Sequence, residues 1–174
     1  MTTLVTGASG FLGSHMAQQL LTRSEAVQIL LRSSSQIRAI EDLPVERVIG
    51  DLRAPSSLDR AMAGVGRVFH VAADYRLWAR DSRDIYESNV TGTKNLLDAA
   101  RRAGVRQFIY TSTVATVAVD RPTLPNEQTQ TKLEEMIGHY KRSKWLAEKE
   151  ALQTAQEGLP IIITIPTTPV GPGD

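Results

Sequence analysis

The 174-residue sequence predicts an α/β domain of the doubly wound kind, a parallel sheet with helices on both faces. Three observations carry this prediction. Six short apolar runs recur along the chain, with helical patterns between successive members. Most of these runs are continuously apolar rather than alternating, as burial on both faces of a sheet requires. A glycine motif, Gly7-x-x-Gly10-x-x-Gly13, stands where the first run meets the first helical pattern.

The first strand is expected at 3–6, where Leu4-Val5 leads into Thr6-Gly7-Ala8-Ser9-Gly10-Phe11-Leu12-Gly13. Phe11, Leu12, Met16, Leu20 and Leu21 then follow a helical spacing, and an apolar run at 27–31 completes a β-α-β unit. A short helix suits 36–42, followed by a strand at 45–50, a second short helix at 56–63 and a strand at 67–71. Longer helices suit 84–103 and 132–155, each followed by a strand, at 106–112 and 160–165. There is no internal repeat and no low-complexity linker, so residues 1–174 read as one domain large enough for a substantial core.

Within that β-α-β context each glycine has a task. Gly7 permits a tight turn, Gly10 lets the backbone approach a pyrophosphate, and Gly13 lets the helix pack against the sheet. The N–H groups and dipole of the helix N-terminus hold phosphates, with Ser9, Phe11 and Leu12 lining the same turn. The motif therefore predicts a Rossmann-type dinucleotide site. Where the second strand ends, an acidic residue would bind the ribose 2′-hydroxyl of NAD, but this chain has Arg32-Ser33-Ser34-Ser35. A guanidinium flanked by hydroxyls suits a 2′-phosphate, which favours NADP(H) over the alternative, NAD.

Tyr140 and Lys144 lie four residues apart, on one face of the helix expected at 132–155. A free phenol is a poor acid or base at neutral pH, and a nearby cation lowers its pKa toward usefulness. A half-buried tyrosine beside a surface lysine is the plainer alternative.

Composition narrows the function classes. Net charge is +1 with acids and bases interspersed, which advertises neither nucleic acid nor an anionic membrane. The chain has no cysteine, so disulfide and thiol chemistry are excluded. His15, His70 and His139 lack metal-ligand spacing, and no metal is expected. No apolar run reaches the length of a membrane span, and the glycine loop begins too early to leave room for a leader, so a cytoplasmic protein is expected.

The stretches TGASGFLGSH, VIGDLR, VFHVAADYRLWARD, SNVTGTKNLLDAA, YTSTVAT, MIGHYKRSKWLAE and TTPVGPGD together resemble the extended short-chain dehydrogenase/reductase superfamily. The likeness is strongest to hopanoid-associated sugar epimerases, relatives of dihydroflavonol reductases and nucleotide-sugar epimerases. The resemblance implies strand order 3-2-1-4-5-6 and a catalytic set of Thr113, in preference to Ser112, with Tyr140 and Lys144. Thr113 steadies charge on the substrate oxygen, Tyr140 exchanges a proton with it, and Lys144 tunes the phenol and bonds the nicotinamide ribose.

By the same resemblance Asp51 and Leu52 line the adenine pocket, although Asp51 also suits a simple turn cap. Val71, Ala72 and Ala73 run beneath the cofactor, Asn89 supports the nicotinamide ribose, and Thr111 borders the site. Pro166, Thr167 and Thr168 meet the nicotinamide, although Ile165 stands where relatives carry asparagine. Trp78 either stacks on substrate or anchors its loop, and Lys141-Arg142 reads as a solvated face.

The chain ends at Gly171-Pro172-Gly173-Asp174, where family members continue, so a C-terminal substrate domain is expected to be absent. The implied function is an NAD(P)-dependent oxidoreductase or epimerase acting on a sugar or related hydroxy or keto compound. A homodimer through the helices at 84–103 and 132–155 is implied too. A non-catalytic nucleotide-binding or sensor module on the same fold is the alternative.

Overall fold

The computed structural model describes residues 1–117 and 124–174. Among these, six strands form one parallel sheet: β1 (Thr2–Thr6), β2 (Ala26–Leu31), β3 (Glu46–Ile49), β4 (Val65–His70), β5 (Gln107–Thr111) and β6 (Ile161–Thr164). Their spatial order is β3-β2-β1-β4-β5-β6, the expected doubly wound arrangement. Alternate side chains of the inner strands supply two cores. Leu4, Leu30, Val68, Phe108 and Tyr110 face one side, where they pack with Leu58, Leu96, Leu97, Ala147 and Ala151. Val5, Ile29 and Leu31 face the other, with Ala17, Leu20 and Ile40. This two-sided burial is why β1 and β2 read as continuous apolar runs. On the edge strand β6 burial alternates, and Ile162 is half exposed.

Helix α1 (Phe11–Thr22) buries Gly13, Ser14, Ala17 and Leu20 along one stripe and packs on β1 and β2. Helix α2 (Pro55–Ala61) starts with proline at its first turn, where the missing N–H costs nothing. On the same side lie α3 (Arg83–Tyr86), α4 (Gly92–Arg102) and α5 (His139–Gln156).

Three predicted helices differ in detail. Residues 36–42 form only a 3₁₀ turn, Arg38–Ile40, with Ile40 alone of the three buried. The rod at 84–103 is interrupted by a π-helical segment, Glu87–Thr91, between α3 and α4. The helix expected from 132 begins at His139. Its start is set by Gly138, whose φ of +85° is incompatible with a continuing right-handed helix, and a 3₁₀ turn (Leu133–Glu135) precedes it. Among the described residues no helix is long and apolar enough to cross a membrane.

Candidate functional site

The carboxyl ends of β1, β4 and β5 meet above the sheet, and the glycine loop closes over the first of them. Gly7 has φ +75°, and a Cβ there would lie 2.6 Å from the backbone nitrogen of Ala72. A Cβ on Gly13 would sit 2.2 Å from the carbonyl oxygen of Gly7. Both glycines are thus demanded by the fold. Gly10 is different: a Cβ would meet only the Gly7 oxygen, at an ordinary 3.5 Å. This exposed residue caps α1 without any side-chain hydrogen bond. The backbone therefore stays open where a pyrophosphate has to approach, so the loop fits a dinucleotide. Ser9 is half-buried and Leu12 exposed beside it.

Beneath the loop runs a hydrogen-bonded chain that sequence reasoning missed. The Ala72 N–H donates to Thr6 Oγ1 at 3.3 Å, and the same hydroxyl is hydrogen-bonded to His70 Nδ1 at 2.7 Å. His70 Nε2 is hydrogen-bonded in turn to Thr93 Oγ1 at 2.9 Å. Burial, and secondarily the Lys144 charge, push the imidazole down to about 3. Val71 donates its N–H to the Thr6 carbonyl, so Val71 and Ala72 are fixed against β1, while Ala73 is exposed.

Past β2, Arg32 is exposed, and among the described residues its guanidinium makes no salt bridge. Asp51 and Asp74, the two carboxylates it influences, are each paired with their own arginine, Arg53 at 2.9 Å and Arg76 at 2.6 Å. Asp51 Oδ1 also accepts from the Arg53 N–H, so it does cap a turn. Leu52 is half-buried against Gly92.

Asn89 owes its position to the π segment, whose wider turn sends a residue out of register. Its amide is fully used: Oδ1 accepts from the Asp74 N–H, and Nδ2 donates to the Asp74 carbonyl and to Ser143 Oγ. Ser143 in turn donates to the Tyr140 carbonyl. Asn89 therefore clamps the loop after β4 to the first turns of α5.

At the end of β5 the three residues expected to do chemistry come together. Lys144 is 3% exposed, and its Nζ donates to the Thr111 carbonyl at 2.8 Å and lies 4.4 Å from the centre of the Tyr110 ring. Burial pulls its pKa down to about 7, with Glu148 opposing. Burial raises the Tyr140 phenol above its ordinary value, while a side-chain interaction with Thr113 pulls it back. This differs from the expected direction: burial leaves the phenol raised, and the Lys144 ammonium is drawn onto the Thr111 carbonyl instead. Thr113 faces Tyr140, whereas Ser112 is buried against Glu148.

The last segment joins the two ends of the site. The Val114 N–H donates to the Pro166 carbonyl at 3.0 Å, and further on Gly171 lies against the ring of Phe11. Thr167 and Thr168, both exposed, bridge between. Trp78 is 80% exposed with Tyr75 and Leu77 beside it in sequence, so it does not anchor its loop. Arg142 is exposed, as a solvated face requires, and its Nε also donates to the Met136 carbonyl across the break before α5. Among the described residues no group of three or more His, Asp or Glu side chains is placed to hold a metal ion.

Known proteins resemble the chain along nearly its whole length. The chain is 43% identical over 171 residues to a putative dihydroflavonol 4-reductase of Synechocystis, covering 98% of this chain and 50% of that protein. It superposes on the crystal structure of gox2253 with a TM-score of 0.92 at 44% identity, covering 98% of this chain and 52% of that one. The UDP-glucose 4-epimerase of Thermus thermophilus, solved in complex with NAD, follows at 28% identity and a TM-score of 0.82, covering 94% and 54%. The chain spans about half the length of the curated relatives it matches. Residues 3–174 match the model of one family from end to end, and the chain belongs to it: the NAD dependent epimerase/dehydratase family.

Proposed function

We propose that residues 1–174 are the nucleotide-binding part of an NAD(P)-dependent oxidoreductase or epimerase. The reaction is hydride transfer at a hydroxyl or carbonyl carbon of a sugar or related small molecule. The carrying observation is the convergence of Thr113, Tyr140 and Lys144 at the end of β5, joined by residues 166–171 to the glycine loop.

In this reading the backbone at Gly10 and the first turn of α1 receive the pyrophosphate, and Val71, Ala72 and Ala73 lie beneath the cofactor. Asp51 and Leu52 border the adenine, and Arg32 meets the 2′-phosphate of NADP. Asn89, Thr111, Pro166, Thr167 and Thr168 surround the nicotinamide end. When bound, the nicotinamide donates or accepts the hydride. Tyr140, held protonated by burial, gives its proton to the substrate oxygen in the reductive direction and takes it back in the oxidative one. Thr113 donates a hydrogen bond to the same oxygen as charge develops on it. Lys144, near its titration midpoint at neutral pH, is suited to resupply that proton. Cysteine-free composition and mixed charge fit work in the cytoplasm. A homodimer through the outer surfaces of α4 and α5 belongs to the same reading.

Fluorescence titration with NADPH and with NADH tests the cofactor half. Saturable binding, tighter for NADPH, is expected; no binding of either by the folded chain overturns it. Turnover of the chain with a ketone panel tests the catalytic half. Tyr140→Phe is expected to cut turnover by about 10²–10⁴-fold while leaving nucleotide affinity within about twofold. The parent chain alone, spanning about half the length of its relatives, is expected to bind nucleotide and turn over poorly; binding with no turnover in a chain extended to their length would favour the non-catalytic module instead.

A further inference from the structure

Tyr140 and Lys144 have a third partner on their own helix. Glu148 follows Lys144 by four residues, as Lys144 follows Tyr140, so the three occupy one stripe of α5. Its Oε2 accepts a hydrogen bond from Ser112 Oγ and another, at 3.0 Å, from Thr116 Oγ1. Both hydroxyls are buried, at 4% and 1% exposure. They flank Thr113, one on the residue before it and one at the end of the 3₁₀ turn Val114–Thr116 that Thr113 caps. The Thr116 hydroxyl shares its proton between Glu148 and the Thr113 carbonyl, 2.9 Å away. A single carboxylate thus grips the Thr113 segment on both sides and ties it to the helix that carries Tyr140.

The same carboxylate has an electrostatic task. The groups facing Lys144 are the Tyr110 ring from β5, the neutral His70 from β4, and Tyr140 and Glu148 from α5. Among these Glu148 is the one anion. A buried ammonium without a counter-charge discharges, so Glu148 keeps the lysine available in its charged form.

We propose that Glu148 is a positioning residue for the chemistry at Tyr140: it fixes Thr113 opposite the phenol and supplies the counter-charge for Lys144. This rests on the reading that Thr113, Tyr140 and Lys144 carry the reaction, and two substitutions separate its two parts. Glu148→Gln keeps an acceptor for both hydroxyls and removes the charge. Ser112→Ala removes one tie and keeps the charge.

The measurement is an NMR titration of the nucleotide-free folded chain, following the Lys144 side chain, assigned by its loss in Lys144→Met, together with the Thr113 methyl signal. The Glu148→Gln variant is expected to lower the Lys144 midpoint by about one pH unit from its parent value near 7. Ser112→Ala is expected to shift the Thr113 methyl while leaving that midpoint within about 0.3 unit. An unmoved lysine midpoint in Glu148→Gln, or an unmoved Thr113 signal in Ser112→Ala, overturns the proposal. Because the titration needs neither nucleotide nor turnover, failure of the cofactor reading appears separately, in the NADPH titration and in Tyr140→Phe.

Discussion

The glycine loop and the Tyr140 end of α5 both lie at the carboxyl ends of the strands and are built by opposite means. The loop is a backbone construction in which Gly7 and Gly13 are forced by contacts of 2.6 and 2.2 Å, and Gly10 is left open. The α5 end is a side-chain construction, in which Lys144, Asn89, Ser143 and Glu148 are buried or half-buried and tied across long stretches of sequence. The difference teaches that steric space governs the first region and protonation the second. Substitutions of volume should therefore damage the loop, and changes of pH should act on the helix.

The largest effect expected from this contrast lies in the loop. Gly13→Ala places a methyl group inside the contact distance of backbone that cannot move alone, at a cost of about 3 kcal/mol or more. Gly7→Ala adds left-handed strain of about 1–2 kcal/mol to a similar clash. Gly10→Ala meets no clash, so stability should change by less than about 1 kcal/mol. Its nucleotide affinity should nevertheless fall about tenfold or more, since the methyl group occupies the approach of the pyrophosphate. Urea unfolding and nucleotide titration of all three variants check this. A Gly10→Ala protein that binds nucleotide like the parent would break the assignment of Gly10 to the ligand.

The helix end is tested by pH. Lys144 titrates near 7 in the folded chain and near 10.4 when unfolded, so between those values the unfolded state binds the extra proton. Stability from this group must then rise as pH climbs from about 7 to about 10, by on the order of a few kcal/mol. Lys144→Met should flatten that rise and be the more stable protein below pH 7. His70 acts on the acid side with the same sense. Its folded value, about 3, lies below its unfolded value, about 6.5, so its contribution is present above 6.5 and is lost as pH falls toward 3. Stability curves at stepped pH, parent against variant, decide the matter. Equal slopes for the parent and Lys144→Met between pH 7 and 10 would show that the lysine is not held in a desolvated state.

The same contrast explains what was legible in the sequence. A backbone demand selects one residue type, so the glycines and the β-α-β unit around them announced the loop, and the apolar runs announced a parallel sheet, whose strand order only the family resemblance implied. The Tyr140 and Lys144 pair was visible through its four-residue spacing. The state of that pair was not, because it depends on the Thr111 carbonyl, 33 residues away, and on the desolvation that burial brings. His70 looked like a stray histidine until Thr6, 64 residues away, closed its hydrogen-bonded chain. The π segment that aims Asn89 left no periodic signal. Glu148 did leave one, the next position on the stripe of Tyr140 and Lys144, and Gly138 marked the true start of α5.

The smallest effect concerns Arg32, and it sharpens the comparison because it puts a charge test on the loop side. The backbone of Arg32 is set by its turn: its N–H donates to Ser35 Oγ at 3.0 Å, and its carbonyl accepts from the Ser35 N–H at 3.0 Å. The side chain is exposed and unpaired among the described residues, so Arg32→Ala should leave stability within about 0.5 kcal/mol of the parent. Asp51 and Asp74 nearby are neutralised by Arg53 and Arg76, which leaves the Arg32 charge for a ligand phosphate. A guanidinium and a 2′-phosphate at a solvated edge contribute about 1–2 kcal/mol, so NADPH affinity should drop by roughly 5–30-fold. NADH carries a hydroxyl at that position and should lose less than about twofold. Parallel titrations of parent and variant at two salt concentrations separate the outcomes. A selective, salt-sensitive loss for NADPH marks a direct phosphate contact, whereas equal losses for both nucleotides mean that Arg32 shapes the turn and leaves the 2′ position unread.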